Sequence, residues 1–524
     1  MPGEVKLVAR PASPGIAIGP IFRLDKVASL APKNLGQTGE LAHEAVLLAQ
    51  AVDAAKSTLL ALVQRAPDPT SARQQLAVLE DETLASRVLD LMAEGASAEE
   101  AWRRGLEGLQ SDVSEERVIE VYHRVLRHFS GERAARIPDG SIVFASDVTP
   151  TRFLETGWAE GGAVALSAGS SSSHVAMLAR SQNVPMVVDL GWPDLEGHGE
   201  AIVDGGRGVL IASPTGQTRR TYARRQADQA EEWSATQRFV DKPAITADGT
   251  AIQVMATISI SDELNIHNPD LCDGVGLVRS EFLFASDRDL LDEERQYVFY
   301  RRLVSWAGGR PVVVRTLDAG GDKPLVGLTT GSTLRGIQLS LSRPETLMVQ
   351  LRALARASVH GPLSIMIPMV TSASELAQAA TLLDRAVGDL ARNGVAAERP
   401  SLGAMVEVPG IARQPKELSA ADFLSIGSND LAHLFFGVAR DDPAAASLVK
   451  PADPELLGLI GKIVEFGHRT GKPVSICGDM PSDPALIDGL LRAGLRTLSV
   501  ELSAIGRVKA RIAEIDLSRD PSDG

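Results

Sequence analysis

The C-terminal half of the sequence alternates short apolar runs with longer helical patterns, and this alternation restricts the fold more than any other feature. Each run is rich in Val, Ile, Leu and Met, as in the buried strands of a parallel sheet. The eight runs occupy residues 252–258, 274–280, 312–318, 364–369, 403–408, 423–430, 474–479 and 497–502. Eight strands, each followed by a helix, within roughly 250 residues are typical of a TIM (β/α)8 barrel. We therefore predict an α/β protein that ends in such a barrel.

Polar side chains stand at the ends of these strands, whereas the strand middles are apolar. They are Arg279, Arg315, Glu407, Asn429, Asp430 and Cys477. The C-terminal strand ends of a TIM barrel carry the catalytic groups because the βα loops meet there. Any one of these residues alone could be a salt bridge or a helix cap. Together they predict a functional site at one rim.

The residue types at this rim indicate the kind of ligand. Glu407 and Asp430, on neighbouring strands, form a hard oxygen site suited to Mg²⁺, which binds one or two carboxylates and completes its shell with water and phosphate. Arg279 and Arg315 offer planar forks for phosphate or carboxylate oxygens. A small, doubly anionic phosphorylated acid would satisfy both kinds of group.

A single histidine, His174, follows four serines and precedes an apolar helical pattern in "SAGSSSSHVAMLARSQNVPMVV". A neutral imidazole is a usable nucleophile at cytoplasmic pH. A phosphoryl group on it would lie at a helix N-terminus, where free N–H groups and the helix dipole favour negative charge. Without further information, a structurally satisfied histidine is the more common interpretation.

The N-terminal half divides into two kinds of segment. Residues 36–131 show helical periodicity with an excess of acidic side chains, which could steer a basic partner or simply form a solvated surface. Short strands with Gly and Pro turns flank His174, and the early run 15–24 has the same character. A charged helical stretch over 215–237 resembles a linker helix.

Composition excludes several classes of protein. The formal net charge of −14 argues against nucleic acid and acidic membranes as default partners. Two cysteines, Cys272 and Cys477, cannot form a disulfide framework and fit a reducing compartment. No apolar run approaches the ~18 residues of a membrane span, and the N-terminus lacks the apolar core of a secretory signal. We expect a cytoplasmic protein without membrane insertion.

Several long motifs occur in a fixed order along nearly the whole chain. They are "SPGIAIGP", "SSHVAMLARSQNVPMVV", "GVGLVRSEFLF", "VVVRTLDAGGDKPL", "IMIPMV", "MVEVPG", "LSIGSNDLAHLFFGVAR" and "SICGDM". With these motifs the sequence resembles phosphoenolpyruvate-protein phosphotransferase, enzyme I of the bacterial sugar phosphotransferase system. It resembles pyruvate phosphate dikinase and phosphoenolpyruvate synthase more loosely.

The resemblance implies a role for each candidate residue. His174 would accept the phosphoryl group of phosphoenolpyruvate and pass it to a histidine of a small phosphocarrier protein. Cys477 would protonate the enolate to give pyruvate, and a thiol that stays protonated at neutral pH can do so. The remaining implied roles are phosphate binding by Arg279, Arg315 and Lys323, Mg²⁺ binding by Glu407 and Asp430, and substrate contacts by Asn429, Asp430 and Arg440. Cys272 matches no motif and is interpreted as a small buried residue.

The resemblance also implies the domain organisation. We expect a swivelling phosphohistidine α/β domain (1–30 and 132–214) with an inserted helical domain that binds the phosphocarrier (31–131). A linker helix (215–238) would lead to a phosphoenolpyruvate-binding TIM barrel (239–518) that forms a homodimer.

Several positions depart from the family pattern. Ser172 stands where a threonine is usual, Ala439 replaces an aspartate, and Asp479 replaces a glutamate. The segment "GSTLRGIQLS" is shorter than usual and places Gln338 where an arginine is expected, although Arg335 is retained. The helical block is also abbreviated, which bears on carrier recognition more than on chemistry.

Two other functions remain open from the sequence. A dikinase-like or synthase-like enzyme would need an ATP-grasp domain, and no stretch is long or Gly/Lys-rich enough to supply one. A regulatory homologue that binds phosphoenolpyruvate with faded catalysis is disfavoured because His174, Cys477, Glu407 and Asp430 are all present. The identity of the carrier, and whether the pathway transports sugar, regulates nitrogen metabolism or feeds a kinase, stay undetermined.

Overall fold

The computed structural model of the chain forms two units, Met1–Asp228 and Gln229–Gly524. The structure describes residues 3–24, 41–65, 70–108, 115–130, 137–158, 161–171, 173–261, 263–284, 287–320, 334–438 and 448–519.

The first unit contains an eight-stranded mixed sheet. Its strands are β1 (Val5–Val8), β2 (Arg10–Ser13), β3 (Ile16–Arg23), β4 (Ile142–Ala145), β5 (Ala163–Leu166), β6 (Met186–Val188), β7 (Glu200–Asp204) and β8 (Val209–Ala212). They lie in the order β1-β8-β7-β3-β4-β5-β6-β2. The central strands β4, β5 and β6 are buried along their whole length, which explains their uninterrupted apolar sequences. The run 15–24 is β3 and joins this sheet, while β1 and β2 form its edges.

A helical bundle connects β3 to β4, which are parallel neighbours in the sheet. Its helices are α1 (Leu41–Arg65), α2 (Thr70–Leu79), α3 (Glu82–Ala93), α4 (Ala98–Glu107) and α5 (Glu115–Phe129). Parallel neighbours require a crossover connection, and here the crossover carries a whole bundle. The helical pattern over 72–95 forms two helices, because Asp81 accepts a hydrogen bond from the N–H of Thr83 (2.7 Å) and begins α3 as its N-cap.

One helical segment of this bundle, His43–Gln64, is long and apolar enough to cross a membrane by length and composition alone. Its sequence is interrupted by the charged residues Glu44, Asp53 and Lys56. Its buried positions pack in the bundle core with those of the other helices; on α1 they are Leu48, Ala51, Ala55, Leu59 and Leu62. The core helix of a globular bundle gives the same compositional signal.

A buried polar network joins the bundle to the short helix α6 (Pro150–Glu155) beside the sheet. Arg124 of α5 pairs with Glu155 through Nη1 and Oε1 at 2.7 Å, and its Nε donates to Oε1 of Gln75 at 3.0 Å. The amide of Gln75 in turn donates to Thr151 Oγ1 (2.9 Å). Both charged partners are nearly buried, so loss of Glu155 would remove the carboxylate that pairs with Arg124, whereas Glu155 also pairs with Arg152 at 3.4 Å.

The second unit is a closed barrel, as the sequence predicts. Its strands are β10 (Ala251–Ile258), β11 (Val275–Arg279), β12 (Val312–Arg315), β13 (Leu363–Ile367), β14 (Ser401–Val406), β15 (Leu424–Gly427), β16 (Val474–Cys477) and β17 (Thr497–Glu501), preceded by β9 (Ala244–Ile245). The eight strands pair in parallel, and β10 pairs with both β17 and β11, which closes the sheet. Each of the eight predicted runs overlaps one strand, and the TIM barrel is confirmed.

Helices follow the strands as expected for this fold. After α7 (His174–Ser181) in the first unit, they are α8 (Gly216–Val240), α9 (Glu263–Ile266), α10 (Ser280–Leu283), α11 (Asp287–Leu291), α12 (Glu293–Ala307), α13 (Gly336–Ser342), α14 (Pro344–Ala357), α15 (Ala373–Arg392), α16 (Pro409–Ala412), α17 (Ser428–Phe435), α18 (Pro454–Thr470), α19 (Pro484–Arg492) and α20 (Ile505–Glu514). Local signals set their ends: Ser372 and Glu375 form a capping box at α15, and Gly308 and Gly471 end α12 and α18 in the left-handed conformation.

Candidate active site

The predicted polar residues meet at the C-terminal rim of the barrel. Arg279 ends β11 and is the strand partner of Arg315, which ends β12. Glu407 directly follows β14, and Cys477 ends β16. The last two members, Asn429 and Asp430, lie in the first turn of α17, immediately after β15. The barrel register therefore brings all six residues to one end of the sheet.

Arg315 is buried in a cradle of carboxylates. It pairs with Glu281, and its Nη1 lies 3.1 Å from Asp318 Oδ2. The same Nη1 donates to the sulfur of Met405 at 3.6 Å. Burial would lower the pKa of Arg315, but the carboxylates of Glu281 and Asp318 outweigh burial and raise it. Arg315 is therefore a permanent, rigidly held positive charge.

Sequence reasoning noted Arg335 only as a retained residue and did not identify Asp318, yet the structure places both in the site. Arg335 Nη2 lies 3.0 Å from Asp430 Oδ2, and its Nε lies 3.4 Å from Asp318 Oδ1. Asp318 is fully buried, and it pairs with both Arg315 and Arg335. These ion pairs link residues far apart in sequence. The sequence signal that could have identified Asp318 is the group of charged residues after β12, namely Asp318, Asp322 and Lys323.

Glu407 is almost completely buried, and its Oε1 accepts a hydrogen bond from the N–H of Met369 at 2.7 Å. Met369 adopts a positive φ of 54°, a conformation unusual for a side chain of this size. Burial, followed by the carboxylates of Asp430 and Asp318, raises the pKa of Glu407. A cation between Glu407 and Asp430 would relieve this repulsion.

The donor set fits Mg²⁺. Among the described residues, no group of three or more His, Cys, Asp or Glu side chains could hold a metal. Two carboxylates suffice for Mg²⁺, which keeps several waters and takes its other ligands from a substrate phosphate. Glu407 and Asp430 are both buried acceptors at the rim. They are the residues that could hold this ion.

Asn429 is fixed by the loop that follows Cys477. Its Oδ1 accepts hydrogen bonds from the N–H of Asp479 at 2.7 Å and from Ser428 Oγ at 3.2 Å. Gly478 makes this approach possible: at its φ of +105°, a Cβ atom would lie 2.4 Å from both Asn429 Oδ1 and Ser428 Oγ.

Replacement of this glycine should therefore disturb the site. Gly478→Ala is expected to cost about 1–3 kcal/mol of backbone strain and to push the Asn429 side chain out of position. Thermal unfolding and substrate affinity would measure the two effects. The control is Gly471→Ala, another positive-φ glycine, with open space around its missing Cβ. It should destabilise the protein without weakening substrate binding; equal loss of binding in both variants would contradict a specific role for Gly478.

Cys477 is buried inside the barrel, in an apolar cluster with Leu277, Met366 and Met405. Its thiol donates weakly to the carbonyl of Ile426 (3.6 Å) and accepts from Ser425 Oγ (3.8 Å). Burial raises the pKa of the thiol to about 11, despite the opposing effect of the nearby Arg315. The thiol therefore carries its proton throughout the physiological pH range.

His174 is the first residue of α7 and is partly exposed. Ser173 is the N-cap, and its hydroxyl accepts from the N–H of Ala176 at 3.2 Å. Arg180, in the last turn, donates to the carbonyls of Ser171 (2.9 Å) and Ala12 (2.6 Å). The serine-rich loop is thus tied to both the helix and the sheet, with the imidazole at the helix start.

Other residues singled out from the sequence have different outcomes. Lys323 and Arg440 lie outside the described residues, as do Ser172 and Ala439. Gln338 is exposed, and its amide donates to Glu375 Oε1 at 3.0 Å. The remaining cysteine, Cys272, is buried, in agreement with its interpretation as a packing residue.

Comparison with known proteins gives consistent matches along the chain. The model for the PEP-binding domain of PEP-utilising enzymes matches residues 234–517. The N-terminal model of these enzymes matches residues 9–115, and their mobile-domain model matches residues 137–208.

Curated relatives extend over nearly the full length. The phosphoenolpyruvate-protein phosphotransferase of Cupriavidus necator is 32% identical, with 97% of this chain and 94% of the relative covered. The protein of the same name from Geobacillus stearothermophilus is also 32% identical, with 96% and 92% covered. An NMR structure titled as Enzyme I matches 43% of this chain and 99% of its own, with 22% identity and a TM-score of 0.36. The chain therefore belongs to the PEP-utilising enzyme family, among the phosphoenolpyruvate-protein phosphotransferases.

Proposed function

We propose that this enzyme transfers the phosphoryl group of phosphoenolpyruvate to His174 and then to a histidine of a small phosphocarrier protein, with release of pyruvate. The observation that carries the proposal is the position of His174 at the start of α7, where its ring is partly exposed. A phosphoryl group on this ring would meet the positive end of the helix dipole. Full-length similarity to phosphoenolpyruvate-protein phosphotransferases supports the same conclusion.

Arg279 and Arg315 are proposed to bind the phosphate of the substrate. Their strands are paired at these residues, so the two guanidinium groups start from adjacent positions. The ion pairs of Arg315 fix its charge in place before the substrate arrives, and such preorganisation lowers the cost of binding. Asn429, Arg440 and Lys323 are proposed as further substrate contacts, and Asp430 adds to these as a metal ligand.

Glu407 and Asp430 are proposed to hold Mg²⁺. Bound Mg²⁺ would neutralise negative charge on the phosphate of the substrate. The raised pKa of Glu407 reflects the burial and the crowding of carboxylates that such a cation would relieve.

Cys477 is proposed as the proton donor. When the phosphoryl group leaves, the remaining enolate needs a proton on its methylene carbon. The proton would leave Sγ, the enolate electron pair would form the new C–H bond, and the enolate oxygen would become the ketone of pyruvate. The thiolate would then regain a proton from water. The thiol's pKa of about 11 keeps it protonated before this step.

We propose a domain organisation that matches these steps. Residues 1–30 and 132–214 would form the swivelling phosphohistidine domain, 31–131 the carrier-binding domain, 215–238 the linker, and 239–518 the substrate-binding barrel. We propose that the enzyme is a cytoplasmic homodimer that pairs through the barrel. Whether it serves sugar transport is decided by the carrier it accepts.

The direct test uses phosphoenolpyruvate labelled in its phosphate, Mg²⁺ and candidate carriers. We expect acid-labile label on the enzyme, pyruvate in equal amount, and transfer of the label to one carrier. Binding of phosphoenolpyruvate without any label on the protein would instead identify a regulatory homologue.

The metal ligands give a separate prediction. Glu407→Gln and Asp430→Asn should each reduce pyruvate formation by ~10² or more at saturating Mg²⁺, because one of two carboxylate ligands is lost. Steady-state rates across a Mg²⁺ titration would measure this effect. Asp384→Asn is the matched control, since this exposed carboxylate pairs with the surface residue Arg399. Full activity of either ligand variant in excess chelator would refute the assignment.

A further inference from the structure

Arg335 forms an ion pair with Asp430, one of the two carboxylates proposed to bind the metal. Its Nη2 lies 3.0 Å from Oδ2 of Asp430, at ion-pair distance. Its Nε contacts a second carboxylate, Asp318 Oδ1, at 3.4 Å. One guanidinium therefore bridges a proposed Mg²⁺ ligand and a neighbouring buried acid that we do not assign to the metal.

The backbone on both sides of Arg335 is held tightly, so this bridge is built into the fold. A Cβ on Gly320 would lie 2.3 Å from the carbonyl of Leu334 and 3.0 Å from Cα of Arg335. Gly336 adopts a φ of +55°, and a Cβ there would lie 2.6 Å from Cβ of Met369. The N–H of Met369 donates to the other proposed ligand, Glu407. The backbone that carries Arg335 thus packs against Met369, the residue whose N–H holds Glu407.

Mg²⁺ and the Arg335 guanidinium would both be held by the negative charge of one carboxylate, Asp430. Mg²⁺ approaches its ligands to about 2.0–2.1 Å, so the two cations would repel each other across that carboxylate. We infer that Arg335 is an internal counter-ion that competes with the metal for Asp430, and that metal binding displaces the Arg335 guanidinium from this carboxylate. This inference rests on the proposed metal site.

Asp318 lowers the energetic cost of displacing the Arg335 guanidinium from Asp430. Because Arg335 already contacts Asp318 through Nε, its terminal nitrogens can leave Asp430 while the charge keeps a buried partner. Asp318 also pairs with Arg315 through its other oxygen, at 3.1 Å, and so cannot follow the moving guanidinium. Arg335 acts as a positioning residue: it holds the Asp430 carboxylate in its orientation in the empty enzyme, and it lowers the metal affinity there.

The test measures metal binding directly, without turnover. Mn²⁺ binding to the full-length enzyme is followed by the EPR signal of free Mn²⁺, in the absence of phosphoenolpyruvate. Arg335→Ala and Arg335→Gln should bind Mn²⁺ about tenfold more tightly than the wild type, which corresponds to about 1.4 kcal/mol. Arg279→Gln is the matched control, since it removes the same charge from the rim. Within the described part of the chain, Arg279 forms no hydrogen bond or ion pair with Asp430. Arg279→Gln should therefore change the Mn²⁺ affinity much less.

A chemical rescue separates displacement from a general change in charge. Ethylguanidinium should fill the space vacated in Arg335→Ala and weaken Mn²⁺ binding again, whereas tetramethylammonium at the same concentration should not. Unfolding curves in EDTA establish whether the variants are folded. If Arg335→Ala is not folded, Arg335→Gln is used in its place.

The outcomes are distinguishable. If Mn²⁺ binds the wild type but Arg335→Ala and Arg335→Gln bind it no more tightly than Arg279→Gln, the competition is refuted while the metal site stands. If Mn²⁺ binds neither the wild type nor the variants, the metal site itself is refuted, and the inference with it. Tighter binding together with selective ethylguanidinium rescue supports the inference.

Discussion

His174→Ala is expected to abolish labelling of the enzyme by phosphoenolpyruvate, because no other group in the proposed mechanism accepts the phosphoryl group. The substitution should change the free energy of unfolding by about 1 kcal/mol or less, since the imidazole is partly exposed at a helix start. Acid-labile label on the protein, measured after rapid quenching, gives the result.

The control for this experiment is another histidine in the same unit. His198 contacts Ser213 Oγ through Nδ1 at 2.9 Å and lies in the segment before β7. His198→Ala should be labelled like the wild type. The assignment of His174 fails if label persists on the folded His174→Ala variant.

Cys477→Ala should separate substrate binding from proton transfer. Binding of phosphoenolpyruvate is expected to be nearly unchanged, because Arg279, Arg315 and the carboxylates remain. Formation of pyruvate should slow by ~10² or more, the scale of a lost general acid. Phosphorylation of His174 should slow with it, unless enolpyruvate escapes and tautomerises in solution. Calorimetric titration and a coupled pyruvate assay measure the two quantities.

Stereochemistry in deuterated water gives the sharper readout. Proton delivery from one fixed thiol makes the labelled methyl group of pyruvate chiral when a suitably tritiated substrate is used, whereas tautomerisation in solution makes it racemic. Cys272→Ala, a buried cysteine outside the rim, should keep both the rate and the stereospecificity. Unchanged rate and stereospecificity in Cys477→Ala would show that Cys477 only packs and that another group is the acid.

The pKa of Cys477 sets the direction of its pH dependence. Burial raises this pKa to about 11, so the protonated thiol, which is the proposed donor, predominates at every pH below that value. Loss of the donor proton can therefore limit the rate only as the pH approaches 11. A fall in activity at lower pH belongs to other groups.

The barrel was predictable because each of its strands is buried on both faces and reads as a continuous apolar run between helices. The two edge strands of the N-terminal sheet were missed for the opposite reason. β1 is only four residues long and mostly exposed, and β2 contains Pro11 within four residues, so neither gives the long buried apolar run of a central strand. The break between α2 and α3 depends on a single capping side chain, Asp81, which apolar periodicity does not register.

The candidate site also has features that could be predicted from the sequence and features that could not. Strand ends were visible in sequence, so Arg315, Glu407 and Cys477 could be placed at the rim. The ion pair between Arg335 and Asp430 could not, because it joins residues 95 positions apart through the geometry of the closed barrel. The raised pKa of Cys477 was equally hidden, since it comes from burial, which depends on neighbouring strands.

The burial of Cys477 also bears on how this enzyme withstands oxidants. Alkylation, disulfide exchange and peroxide oxidation all proceed through the thiolate and require access to sulfur. Cys477 is only 2% exposed and remains a thiol, while its neighbours Met366 and Met405 are equally enclosed. A low-pKa catalytic cysteine of the kind used by thiol proteases would be lost under peroxide stress. Here the burial that keeps the proton on sulfur also limits the access of oxidants to that sulfur.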